Sequence, residues 1–111
     1  MAEQDDVRRL ALAQPEAVEQ PHFESASFRV RGKMFATLHP DGVTAALPLP
    51  VELAAELVDR EAPAVSAVNW GSIRGWVRLD LPALRPGLLE QLVPAAWGRV
   101  APKRLAREQA A

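Results

Sequence analysis

Cysteine is absent from all 111 residues, which excludes disulfides, thiolate nucleophiles, iron–sulfur clusters and cysteine-based zinc sites. No apolar run approaches the roughly 18 residues of a membrane span. The N-terminus, MAEQDDVRRL, is acidic and polar, where a secretory leader is basic and then apolar. A cytoplasmic protein with no membrane partner is therefore expected. A surplus of positive charge is missing too: 13 Lys and Arg face 14 Asp and Glu, for a net charge of −1. Dedicated nucleic-acid binders usually carry a clear basic excess, so only a local cluster of cations could serve that role here.

Catalytic signatures are equally scarce. His22 and His39 have no HxxxH or HxH partner, no Ser-His-Asp motif is legible, and no pair of carboxylates stands out as acid and base. The sequence thus points to no catalytic residue, no metal and no cofactor. Glu3, Asp5 and Asp6 could be compared with an acidic iron site. Carboxylates at the start of a helix are, however, explained as caps and solvated charge, and metal binding needs converging oxygens. WGSIRGW has glycines at 71 and 75, but it lacks the Walker Lys-Ser/Thr pair, the GxGxxG spacing and a helix to receive an anion. Its glycines are expected to permit a turn.

What remains is ordinary globular material, 49% hydrophobic and 24% charged, expected to form a single domain over 1–111 with a short fraying tail at 108–111. DDVRRLALAQP (5–15) reads as a helix capped by Asp5 or Asp6 and stopped by Pro15. EAVEQPHFESA (16–26) shows no period and reads as a linker. SFRVR (27–31) alternates as a strand, with Phe28 and Val30 inward and Arg29 and Arg31 outward. Gly32-Lys33 suits a type II′ hairpin loop, MFATLH (34–39) returns, and Pro40-Asp41-Gly42 turns into VTAAL (43–47).

PVELAAELVDRE (50–61) places Leu53, Leu57 and Val58 on one helical face, with Glu52, Glu56 and Asp59 opposite. AVSAVNW (64–70) and GWVRLDL (75–81) read as two more strands. A last helix begins near Pro86, with Pro94 on its polar side as a kink. The order α-β-β-β-α-β-β-α specifies an α+β two-layer sandwich: a five-stranded antiparallel sheet with three helices on one face.

Four stretches within this order, LALAQPEAVE (10–19), FRVRGKMFATLHPDG (28–42), GSIRGWVRLDL (71–81) and AWGRVAPKRLA (96–106), resemble the MmcQ/YjbR family. The resemblance implies a fold like bacterial frataxin or the type III secretion chaperones. It also implies the family's customary description as DNA-binding, through a proposed double-wing sheet surface, although fold alone does not settle function. One departure bears on this. Family members often carry several basic and aromatic residues before the fifth-strand Trp, whereas NWGSIRG has Arg74 as its only charge.

Two non-enzymatic functions follow. In the first, Arg29, Arg31, Lys33, Arg74 and Arg78 contact DNA phosphates from the open sheet face and hairpin tips. Trp76 would stack as an aromatic contact, and Lys103 and Arg104 would add charge from the C-terminal segment. In the second, the same face binds another polypeptide or a second copy of the chain, with Met34, Ala36 and Trp76 forming an apolar patch. The plainer alternative is that a one-sided sheet must be polar on its wet face. Likewise, Arg99, Lys103 and Arg104 near a helix C-terminus already satisfy its dipole.

Overall fold

The computed structural model describes residues 2–22, 24–68 and 74–110. Helix α1 (Gln4–Leu12) starts earlier than the carboxylates suggested: Glu3 is the N-cap. Asp6 sits three residues in, and its carboxylate accepts the Glu3 backbone N–H at 2.9 Å. This is the returning half of a capping box, with Asp in place of the usual Glu. After α1 the chain turns through Glu16, at φ +58, into β1 (Ala17–His22), β2 (Ser25–Val30), β3 (Lys33–Leu38) and β4 (Thr44–Pro48). Helix α2 (Val51–Arg60) leads to β5 (Val65–Ala67) and β6 (Trp76–Asp80). A 3-10 turn (Leu81–Ala83) precedes α3 (Leu88–Val100) and α4 (Lys103–Ala110).

The sheet has six strands, not five, in the order β1-β2-β3-β4-β6-β5, and every pairing is antiparallel. The extra strand is the segment read as a linker. Residues 18–21 of β1 are all exposed, so no alternation marked it, and Pro21 is tolerated because β1 is an edge. An ion pair between Arg8 and Glu19 at 3.0 Å ties this edge to α1.

The first tight hairpin also differs by one residue. Val30 pairs with Lys33, so the two-residue loop is Arg31-Gly32, at φ +49 and +83. Two positive φ values specify a type I′ turn rather than type II′. In β2–β3 the register shifts between Phe28 and Arg29. The extra residue lets Phe35 and Ala36 both enter the core, as a β-bulge does. Ala36 is therefore not part of any outward apolar patch.

One face of the sheet carries Phe28, Val30, Leu38, Ala45, Leu47, Val65, Val77 and Leu79 into a single core with the helices. Helix α3 supplies Leu88, Leu89, Leu92, Val93, Ala96 and Trp97. It runs unbroken past Pro94, which faces solvent. Each fully buried Phe, such as Phe28 or Phe35, contributes about 2–3 kcal/mol of transfer free energy. Trp97 is only 4% exposed, and its indole N–H donates to the Pro15 carbonyl at 3.0 Å. That bond fixes the α1–β1 turn to the core.

The last helix is two helices. Ala101 precedes Pro102 and is extended, at φ −63 and ψ 149, as a residue before proline tends to be. The chain then restarts as α4. Lys103 and Arg104 consequently lie in the first turn of a helix, where the dipole disfavours cations. The structural reason offered for them by the sequence is reversed.

Candidate functional site

The face of the sheet away from the helices carries Ser25, Ser27 and Arg29 from β2, and Met34 and Thr37 from β3. It also carries Thr44 and Ala46 from β4, Arg78 and Asp80 from β6, and Ser66 from β5, as the pairings and the alternation place them. A row of mostly small residues crosses it: Ser27 pairs with Thr37, Thr37 with Ala46, Ala46 with Arg78, and Arg78 with Ser66. Small side chains in mid-sheet leave a hollow.

That hollow continues as a cleft of about 260 Å³ lined by His22, Glu24, Ser25, Thr37, Ala46 and Arg78, among others. Its outer walls are the β1–β2 and β3–β4 tips. Ser25 Oγ donates to the Leu38 carbonyl, locking β2 onto β3 at the rim. At the β3–β4 tip, Asp41 Oδ1 accepts the Val43 and Thr44 backbone N–H groups, both at 2.9 Å. Its Oδ2 accepts the Thr44 hydroxyl at 2.5 Å. These bonds, the Thr44 hydroxyl first, hold the Asp41 carboxyl below its ordinary range. His39 Nδ1 accepts the Asp41 backbone N–H at 3.3 Å. The same nitrogen lies 3.5 Å from Asp41 Oδ2.

The two histidines, separate in sequence, thus meet at one cleft. So do Arg78 and Glu24, neither of which has an ion-pair partner among the described residues. Sequence reasoning missed the cleft because it depends on register between distant strands. The signal that could have found it is the small residues at facing positions of β2, β3 and β4.

The cations expected to form a DNA surface are distributed differently. Arg31 lies in the hairpin turn opposite Glu16, and their side chains form two hydrogen bonds of 3.0 Å each. That fork holds the Glu16 carboxyl below its ordinary pKa and raises that of the guanidinium. Arg29 is half-buried, donating to Ser27 Oγ at 3.2 Å and to the Gly32 carbonyl at 3.4 Å. Ser27 is fully buried and passes its own hydrogen to the Gln20 carbonyl. Arg104 approaches Glu108 at 3.7 Å, and both line a surface hollow with Arg31.

Lys33, Arg74, Arg78 and Lys103 are exposed. The strand register puts Lys33 and Arg74 toward one end of the sheet, Arg78 in the middle and the cleft toward the other end. Trp76 corrects the expectation most sharply. It is 8% exposed and lies outside the main core cluster that holds Val77 and Leu79, so its ring is not available to stack a base. Trp70 and Gly71 of the WGSIRGW constellation lie outside the described residues.

The acidic N-terminal residues are engaged locally: Asp5 pairs with Arg8 at 3.0 Å and Asp6 lies 3.5 Å from Arg9. Among the described residues no group of three His, Asp or Glu side chains could hold a metal. No helix among them is long and apolar enough to cross a membrane.

Comparison with known proteins places this architecture. A family profile described as YjbR matches residues 12–99. The chain is similar to a crystal structure of Deinococcus radiodurans protein DR2400, which carries the family domain DUF419. The two share 20% identity at a TM-score of 0.76, over 99% of this chain and 89% of that one. At that identity the likeness speaks to the fold. No curated protein matches the chain.

Proposed function

We propose, from the premise that the chain belongs to the YjbR family, that it is a non-enzymatic binding domain whose ligand sits in the open-face cleft. The observation that carries this reading is the cleft itself. It joins an apolar floor to a few convergent polar groups, Arg78, Glu24, Thr37 and the two histidines, which is the general make-up of a ligand site. The Ser25 hydroxyl on its rim is committed to the Leu38 carbonyl, which favours a binding role for that side chain over a nucleophilic one.

Ala46 is half-buried on the cleft floor and outside the core cluster. Ala46→Trp should therefore fill the cleft without entering the core, and Val68→Trp fills it from the other wall. Native mass spectrometry of protein incubated with a low-mass cell filtrate should show an adduct on the wild type that both variants lose. An adduct retained by the folded variants, or none on the wild type, sinks this reading.

A second reading has one specific support. Lys33, Arg74, Arg78 and Lys103 are exposed with no ion pair among the described residues, which leaves them available to DNA phosphates. Against it stand the neutralised Arg31 and Arg104 and the buried Trp76.

A further inference from the structure

The open face carries its charges in mirror order. A line drawn across the strands through Leu79 passes Ala45 and Leu38, which follow one another in register. It reaches β2 at Ala26, one residue on from the Ser27–Thr37 pair. On β6, Arg78 stands one residue to one side of that line and Asp80 one residue to the other. On β2 and its tip, Arg29 stands three residues to the first side and Glu24 two residues to the second. Lys33 and Arg74 keep to the positive side, and Asp41 at the β3–β4 tip keeps to the negative one. Arg78 and Asp80 are both exposed and about 6.7 Å apart along the strand. Even so, no ion pair joins them, and Glu24 has none among the described residues.

From this arrangement we infer that the open face is the contact surface of a two-fold dimer, its occupant a second copy of the chain. A two-fold axis along the line through Leu79, Ala45 and Leu38 sets each Arg78 against Asp80 of the second copy. It also sets each Arg29 against Glu24 of the second copy, so each pair of opposite charges occurs twice. Arg29 spends two N–H groups on Ser27 Oγ and the Gly32 carbonyl, and a guanidinium has five. An axis along the strands would instead bring the two arginine sides together. The contact rests on charge, because Ala36 and Trp76 are buried and form no apolar patch here. Between the charges stand Thr37, Ala46 and Ser66, small enough for a second sheet to pack at about 10 Å. Six strands at about 4.8 Å and about five residues at about 3.3 Å give roughly 500 Å² per copy. That is the lower limit of specific interfaces, so the dimer is weak and salt-sensitive.

This inference goes beyond the cleft reading and does not depend on it. Sedimentation equilibrium of the intact protein at low salt should show monomer passing to dimer between about 10 µM and about 1 mM. Raising the salt to about 0.5 M should return it toward monomer. Arg78→Glu and Asp80→Arg should each raise the dimer dissociation constant about tenfold or more, because two attractive contacts become two repulsive ones. Mixed in equal amounts, the two variants should associate again, since each reversed charge then meets its opposite across the axis.

A wild type that stays monomeric at about 1 mM in low salt overturns the dimer. So do single reversals that leave association unchanged, the result expected of contact through another surface such as the β1 edge. A mixture that associates no better than either variant alone overturns it as well. If the dimer falls while the filtrate adduct still depends on Ala46 and Val68, the cleft function stands. If the charge-reversed mixture dimerises and no adduct forms, the interface stands without the cleft ligand.

Discussion

Gly75 stands where three groups converge. Its φ is +90, and a Cβ there would run into the Arg99 guanidinium and the Leu49 carbonyl oxygen. Arg99 donates to that carbonyl at 2.6 Å, and the Leu49 N–H donates to the Gly75 carbonyl at 2.8 Å. The arginine read from sequence as a helix-dipole partner is therefore a cross-link between α3 and the β4–α2 connection, to which Gly75 is itself hydrogen-bonded. Gly75→Ala should cost about 3 kcal/mol, adding left-handed strain of about 1–2 kcal/mol to a displaced charged hydrogen bond. That corresponds to a fall of roughly 10 °C or more in the melting temperature. Gly87 shares a positive φ of +83 but has open space around it, so Gly87→Ala should show the strain alone. Equal losses at the two positions would remove the Arg99 contact from the explanation. A double variant with Arg99→Ala should be less than additive, since both changes break the same bond.

At the level of elements, the β3–β4 connection owes its shape to one carboxylate, Asp41, which accepts three bonds from Val43 and Thr44. Because its folded pKa lies below the ordinary value of 3.8, the stabilisation is present above that value. It is lost as the pH falls through the folded value. Asp41→Asn should cost about 1 kcal/mol at neutral pH, discounted for exposure, and the difference should shrink as the pH falls below 3.8, as urea unfolding would report. A penalty that stays constant with pH would mean the charge plays no part. This turn was legible in the sequence because Pro-Asp-Gly is local chemistry. So were α1, α2 and the inward Phe28 and Val30, each marked by its own periodicity. What escaped were elements defined by their surroundings. The edge strand β1 has no buried face to print an alternation. The Arg31-Gly32 turn differs from Gly32-Lys33 only through the register that Val30 and Lys33 adopt. The break before α4 hangs on Pro102 reshaping Ala101. For the site the gap was wider: each cleft residue is unremarkable alone, and only the β2-β3-β4-β6 pairing gathers Glu24, Thr37, Ala46 and Arg78.

For the molecule as a whole, a balanced charge conceals a sorting of charges. Arg31 and Arg104 are offset by Glu16 and Glu108, and Arg8, Arg60 and Arg85 by Glu19, Glu56 and Glu61. The cations left without such partners are spread from one end of the sheet to its middle and on to α4, not drawn into one stripe. Each phosphate neutralised by a protein cation releases counterions, so the salt dependence of binding counts the contacts made. With Lys33, Arg74, Arg78 and Lys103 as the cations available to phosphates, duplex DNA binding should be weak at low salt. The slope of log affinity against log salt should be no steeper than about −4, near −0.9 for each contact. Arg29→Ala/Arg31→Ala should change that slope little, because both guanidiniums already have partners within the fold. A slope of about −6 or steeper, or a several-fold loss of affinity in the Arg29/Arg31 double variant, would instead require those ion pairs to open onto DNA. That outcome would move the function from the cleft to the hairpin end of the sheet.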